Sequence, residues 1–76
     1  MKKQHIQYDS PIDALVAVTK QLHTYEMKYH LETEDFYDQF RKGERGDSRD
    51  FIEWANAYQH YLALHQELEQ RITHVA

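Results

Sequence analysis

The sequence contains no cysteine, and this absence excludes disulfides, thiolate metal sites and a cysteine nucleophile. It has one proline and two glycines among 76 residues, so few positions interrupt a helix. No apolar run reaches the ~18 residues that a membrane-spanning helix needs, and residues 1–5 lead into no signal-peptide core. We therefore expect a single domain in the cytoplasm, without a membrane partner.

Aromatic residues are, by contrast, frequent. Six tyrosines, three phenylalanines and one tryptophan make up 13% of the chain, which argues against disorder. Leucine, alanine, glutamate and glutamine are common as well, and they favour helices over strands. A chain of this length is near the lower limit for an independent core. With disulfides excluded, a partner subunit or a metal would add stability.

The formal net charge of −4 is unevenly distributed along the chain. Residues 32–53 hold eight acidic and four basic side chains, whereas the rest of the chain holds five of each. Nucleic acids are bound mainly through basic side chains on phosphates, so this distribution argues against direct nucleic-acid binding. It favours a protein partner with a basic surface.

Hydrophobic periodicity predicts two helices in the first half of the chain, after a flexible tail over residues 1–10. Ser10 can cap a helix over 11–31, because Pro11 suits the first helical position. Thr33 can cap a short helix over 34–42, which Gly43 would end. The apolar face of the first helix comprises Ile12, Leu15, Val18, Leu22, Tyr25 and Tyr29.

The second half of the chain predicts one long helix over residues 48–73, capped by Asp47 or Ser48. Apolar and aromatic residues recur there at steps of three and four, which is the spacing of a coiled-coil heptad. Ala55 and Leu62 widen this stripe. The heptad stripe comprises Phe51, Trp54, Tyr58, Tyr61, His65, Leu68, Ile72 and Val75.

These elements predict an all-α fold in a single domain over residues 11–76. Two long helices form a hairpin, and the short helix connecting them packs across one end, clamped by a core of Phe36, Phe40, Phe51 and Trp54. Two long helices cannot cover both of each other's flanks. We therefore expect a homodimer that completes a four-helix type of bundle through the heptad stripe.

Metal binding and catalysis find little support in the sequence. His23, Glu26 and His30 share one helical face and are weak candidates for metal ligands, but a solvated face explains them better. His65 on the heptad stripe can specify the register or oligomer state of a dimer, as a buried polar residue does in coiled coils. A half-exposed packing residue is a better explanation of it than a pH-sensitive one. Ser10 and Ser48 suit helix caps rather than nucleophiles, so we expect no catalytic residue and no cofactor.

The middle of the chain combines aromatic and acidic residues. The aromatic residues suit a core between the second and third helices, yet tyrosine and tryptophan are also enriched where proteins bind one another. Both roles are possible if different faces of the cluster serve them. The candidate partner-binding residues are Asp35, Tyr37, Asp38, Glu44 and Asp47.

About 45 residues of this chain carry a recurring pattern. Its parts are Tyr25-Glu26-x-Lys28-Tyr29, Glu34-x-Phe36-Tyr37-x-x-Phe40, Gly43-Glu44-x-Gly46-Asp47 and Asp50-Phe51-x-Glu53-Trp54-Ala55-x-x-Tyr58-x-x-Tyr61. The pattern resembles a family of short bacterial and cyanobacterial proteins that look like antitoxins of type II toxin–antitoxin pairs, several encoded beside a TumE-like toxin. This chain departs from it in Arg45 and Ser48, where an apolar residue and an acid are expected.

The resemblance implies a protein that neutralises a cognate toxin by covering it, with no catalytic residue of its own. Two other classes remain open at this point. One is a structural or regulatory dimerisation protein without a toxin partner, and the other is a metal-dependent enzyme. The gene neighbourhood discriminates the first two classes, and metal analysis of the purified protein addresses the third.

Overall fold

The computed structural model describes residues 10–75, with side chains described over residues 10–72. Three helices follow one another along the chain, namely α1 (Pro11–Tyr29), α2 (Thr33–Arg41) and α3 (Arg49–Val75). Residues 10–75 contain no strand, so the predicted all-α fold is confirmed. Residues 1–9 of the predicted tail lie outside the described residues. None of the described helices is both long and apolar enough to cross a membrane.

The ends of α1 follow from local hydrogen bonding. The Ser10 hydroxyl accepts a hydrogen bond from the backbone N–H of Asp13 at 3.2 Å, and Pro11 occupies the first turn. The helix is two residues shorter than predicted because His30 adopts the left-handed conformation, with φ at 54°. Its backbone N–H donates to the Glu26 carbonyl and closes the last turn.

The start of α2 differs from the prediction in the role of Thr33. This residue is not the cap but the first residue of the helix, and it is buried. Its hydroxyl accepts a hydrogen bond from the Trp54 indole at 3.0 Å, because a buried indole N–H requires an acceptor. Glu32 holds the cap position without a side-chain capping bond.

A turn with two glycines connects α2 to α3. Gly43 and Gly46 have φ angles of 78° and 79°, a backbone conformation that residues other than glycine rarely adopt. Ser48 then caps α3, since its hydroxyl accepts from the Phe51 N–H at 3.3 Å. Of the two predicted capping residues, Ser48 therefore caps α3 and Asp47 does not.

α1 and α3 form the predicted hairpin. Tyr29 packs against Phe51 at one end, and Pro11 lies across a depression from Leu68 at the other, so the two helices are antiparallel. α2 packs across the first of these ends. The buried core comprises Ala14, Val18, Leu22, Phe36, Trp54, Ala55, Ala57 and Leu64.

The predicted apolar face of α3 needs correction. Ala57 and Leu64, which lie outside the heptad stripe, are buried, whereas Leu62, predicted to widen it, is 43% exposed. The reason is that α3 has two partners on different sides. α1 contacts Asp50 and Glu53, and steps of three and four residues lead from there to Ala57 and Leu64. α2 packs on the adjacent side of the helix.

The far end of the hairpin differs from the predicted faces at two positions. Ile12, predicted on the apolar face of α1, is 59% exposed, and Ile72, predicted on the heptad stripe, is 70% exposed within a single chain. The His65 side chain is about half exposed, in agreement with its prediction as a half-exposed packing residue, and lies 3.8 Å from Glu69. The cause is shared, because α2 does not extend to this end and leaves the two long helices with no third layer.

Candidate functional site

Trp54 lies at the centre of the contact between the three helices. It is fully buried, and its ring stacks on Phe36 with centroids 3.9 Å apart and planes 2° from parallel. Tyr25 and Tyr29 stack on it from α1 at 5.6 and 5.7 Å. One side chain of α3 therefore holds both α2 and α1, and aromatic pairs of this kind contribute beyond their buried area.

The other two predicted aromatic core residues, Phe40 and Phe51, flank this stack and are half-buried. Each ring lies 5.5 Å from that of Phe36. The Arg45 guanidinium lies 6.0 Å from the centre of the Phe51 ring and donates to Gln39 at 2.8 Å. Arg45, one of the two departures from the antitoxin-like pattern, thus covers part of the aromatic cluster.

A row of half-buried rings extends from α2 along α3. Tyr37 meets Tyr58 edge to face at 5.0 Å, Tyr58 stacks on Tyr61 at 6.1 Å, and Tyr61 lies 5.8 Å from His65. The Tyr37 hydroxyl accepts a hydrogen bond from Gln59 at 2.9 Å. These rings present one side to solvent, so the predicted partner residue Tyr37 is accessible but anchored.

Three acidic side chains are engaged within the fold. Asp50 accepts hydrogen bonds from the Lys28 ammonium at 2.7 Å and the Tyr29 hydroxyl at 2.6 Å. Glu53 accepts from the Tyr25 hydroxyl at 3.1 Å, and Glu26 accepts from the Thr33 N–H at 2.9 Å. These carboxylates join α1 to α3 and to the start of α2.

The same contacts shift the pKa values of the groups involved. The hydrogen bonds from Lys28 and Tyr29 lower the pKa of Asp50. The bond to Asp50 in turn raises the pKa of Lys28 and that of Tyr29. Burial raises the pKa of Tyr25, and its bond to Glu53 adds to this effect. Sequence analysis missed this network, because no local pattern pairs residues more than twenty positions apart.

Four acidic residues predicted to bind a partner, Asp35, Asp38, Glu44 and Asp47, are exposed on α2 and the following turn. Asp38 forms an ion pair with Lys42 at 3.0 Å, on the same helix end. Within residues 10–72, no side-chain hydrogen bond or ion pair joins Asp35 or Asp47 to another residue. The carboxylates of Asp35 and Asp47 are consequently available to a partner, in contrast to the carboxylates that join the helices.

The predicted metal candidates are only partly brought together. His23 lies 3.9 Å from Glu26, and both line an open depression of about 310 Å³ with His30. A tighter group consists of Glu26, Glu32 and Glu34, whose carboxylate oxygens lie within 4.8 Å of one another. Such oxygens suit a hard cation rather than zinc. Exposed carboxylates also gather at helix starts without any metal, so this group supports no assignment.

Comparison with known proteins adds no relative. No protein-family profile matches the chain, and neither a curated protein nor a solved structure matches it at a significant level. The antitoxin-like resemblance stays a prediction from the sequence pattern. The acidic and aromatic residues of the middle segment therefore carry the evidence for function.

Proposed function

We propose that this chain is an antitoxin-like binding protein that neutralises a cognate toxin by protein–protein contact. The observation that carries the proposal is the division of its acidic residues into two groups. Asp50, Glu53 and Glu26 are bonded within the fold, whereas Asp35 and Asp47 face solvent without a partner among residues 10–72. Unpaired acids concentrated at one end of a molecule suit a partner with a basic surface.

Binding would proceed in two physical stages. The excess negative charge of residues 32–53 raises the rate of encounter with a basic surface. The half-buried ring of Tyr37, held by Gln59 and Tyr58, then offers a rigid apolar contact beside the acids. Anchored aromatic side chains lose little conformational entropy on binding, which is why they are frequent at the centres of interfaces.

The chain would act as a homodimer. Among the described side chains, Ile12, Val16 and Ile72 are at least half exposed, and apolar side chains of this size are often covered by a partner. The second candidate function is a structural or regulatory dimerisation protein without a toxin. It also requires a homodimer, but it needs no acidic docking surface.

Association kinetics with the adjacent gene product would test the proposal. Two triple variants each remove three negative charges, one from the proposed docking surface and one from the opposite end of the hairpin. The first variant carries Asp35→Asn, Glu44→Gln and Asp47→Asn. The control carries Asp13→Asn, Glu67→Gln and Glu69→Gln.

We expect the first variant to associate roughly tenfold more slowly at low salt, with a weaker salt dependence. The control should associate at close to the wild-type rate, because its lost charges lie far from the contact. Equal effects of the two variants would show that only net charge matters. A gene product that does not bind the wild-type chain would favour the dimerisation protein without a toxin.

A further inference from the structure

The tyrosines within residues 10–72 divide into two groups by the bonding of their hydroxyls. The hydroxyl of Tyr37 and those of both α1 tyrosines are bonded to side chains of α3. Within the same residues, no hydrogen bond joins the hydroxyl of Tyr58 or Tyr61 to another residue. These two residues, the tyrosine pair, are half-buried and stack at 6.1 Å with planes 12° from parallel. Packing therefore holds both rings while their hydroxyls stay unpartnered.

Basic side chains already lie beside other aromatic rings of the fold. The Arg41 guanidinium lies 6.0 Å from the centre of the Tyr37 ring, and the Lys28 ammonium lies 5.4 Å from that of Tyr29. Such contacts form because the electron-rich face of an aromatic ring attracts a cation. Among the described side chains, no lysine or arginine lies beside either ring of the tyrosine pair. These rings can accept a cation from outside the chain.

Glu34 adds a carboxylate beside the tyrosine pair. It lies one turn before Tyr37 on α2, and the Tyr37 ring meets that of Tyr58 at 5.0 Å. Burial raises the pKa of Tyr58, and the negative charge of Glu34 adds to this effect. Glu34 is exposed, and no hydrogen bond or ion pair joins its side chain to another residue within 10–72. An unpaired carboxylate and two unpartnered hydroxyls thus lie together next to two rings without a cation.

The charge around Glu34 is negative. The carboxylate oxygens of Glu26 and Glu32 lie within 4.8 Å of those of Glu34. The bases at the other end of α2, Arg41 and Lys42, are already engaged with a ring and a carboxylate of the same helix. A cationic group from a partner is therefore favoured beside Glu34, whereas the acidic segment of a second copy would be repelled.

We propose that Glu34, Tyr58 and Tyr61 bind an arginine side chain of the toxin. This inference rests on the proposed function and names the group that the partner presents. A guanidinium is planar and weakly hydrated, so it can lie flat on a tyrosine ring and still donate a hydrogen bond to a carboxylate beside it. A lysine ammonium is a strongly hydrated point charge and fits this combination of groups less well.

Dissociation of the complex with the adjacent gene product measures this contact. Glu34→Gln removes the charge and keeps the shape of the side chain. Its matched control is Asp13→Asn, because Asp13 is likewise an exposed acid in the first turn of a helix, at the opposite end of the hairpin. Tyr61→Leu removes the aromatic ring, whereas Tyr61→Phe retains the ring and removes only the hydroxyl. Circular dichroism verifies that each variant is helical.

We expect Glu34→Gln and Tyr61→Leu each to dissociate roughly thirty-fold faster than wild type, because loss of a desolvated contact acts on the dissociation rate. Tyr61→Phe should stay within roughly threefold of the wild-type rate, since its ring still attracts a cation. Asp13→Asn should stay within roughly twofold, as expected for a surface charge outside the contact.

Each failure has its own signature. Equal dissociation rates for Tyr61→Leu and Tyr61→Phe, or for Glu34→Gln and Asp13→Asn, would overturn the arginine site and leave the proposed function standing. A wild-type chain that does not bind the adjacent gene product would overturn the proposed function and the arginine site together. Variants that weaken self-association in sedimentation, with toxin dissociation unchanged, would assign the surface to a second copy instead.

Chemical modification identifies the bound group. Phenylglyoxal modifies accessible arginine side chains, acetic anhydride modifies lysine, and mass spectrometry locates the modified residues of the adjacent gene product. At saturating concentrations, we expect one arginine to be protected by wild type and by Asp13→Asn, but to react in the complex with Tyr61→Leu. A lysine with this pattern of protection, in place of an arginine, would overturn the assignment to arginine.

Discussion

At the scale of single residues, Thr33 and Trp54 decide how α2 is attached. The indole of Trp54 is wholly buried, and the Thr33 hydroxyl accepts its N–H. The backbone N–H of Thr33 donates to Glu26, so one residue joins all three helices through polar contacts. A buried donor that loses its acceptor carries the full desolvation cost.

Thr33→Val should therefore lower the free energy of unfolding by about 1–3 kcal/mol, since valine matches threonine in shape but provides no acceptor. Thr33→Ser is the control, because it retains the hydroxyl and should cost less than valine. Chemical denaturation followed by tryptophan fluorescence measures both. If Thr33→Val lowers the free energy of unfolding no more than Thr33→Ser does, the hydrogen bond from the Trp54 indole contributes nothing. Ring stacking alone would then hold Trp54.

At the scale of helices, α1 and α3 are joined by charge as well as by apolar packing. Asp50 accepts bonds from Lys28 and Tyr29, and Glu53 accepts one from Tyr25. Glu53 lies about one helical turn after Asp50 along α3. These contacts specify which faces of the two helices meet at the end where α2 packs.

The lowered pKa of Asp50 predicts an acid-dependent loss of stability. A carboxyl group whose pKa is depressed by folding stabilises the native state above its unfolded pKa of ~3.9, and this stabilisation disappears as pH falls through the folded value. Asp50→Asn should be less stable than wild type at pH 7, and its stability should decline less between pH 5 and 2.

Asp35→Asn is the control for this prediction, because Asp35 is exposed on α2 and has no partner within residues 10–72. Its stability should follow the wild-type curve through the acid range. Thermal unfolding at a series of pH values measures all three proteins. Parallel curves for Asp50→Asn and wild type would mean that the contact with Lys28 and Tyr29 contributes no pH-dependent stability.

At the scale of the whole molecule, the short helix leaves part of the hairpin uncovered. α2 covers one end of the hairpin and nothing within the described residues covers the other. The buried core comprises only eight residues, which explains why a second copy would add stability.

A dimer predicts thermal stability that depends on concentration. Mass action stabilises the folded dimer as the chain concentration rises, so a hundred-fold increase should raise the melting temperature by several degrees. Ile72→Glu places a charge on the predicted heptad stripe and should show little dependence if two copies meet there. Calorimetry over a hundred-fold range of chain concentration measures this dependence. A melting temperature that stays constant for wild type would exclude dimerisation coupled to folding.

The sequence by itself determined the local features of this protein. Ser10 and Pro11 set the start of α1 and Ser48 that of α3, because capping depends only on neighbouring residues. Helical type and approximate length followed from the spacing of apolar residues. The aromatic centre was also predictable, since Phe36 and Trp54 lie on successive helices joined by a short turn.

Only the tertiary structure decided which side of each helix is buried and which acids are free. Ala57 and Leu64 are inside because α1 approaches α3 from one side and α2 from another, and periodicity within one helix cannot show where its neighbours lie. Asp50 and Asp47 are alike in sequence, yet only Asp50 finds Lys28 and Tyr29. Contacts between residues distant in sequence depend on the packing of all three helices, which no local pattern records.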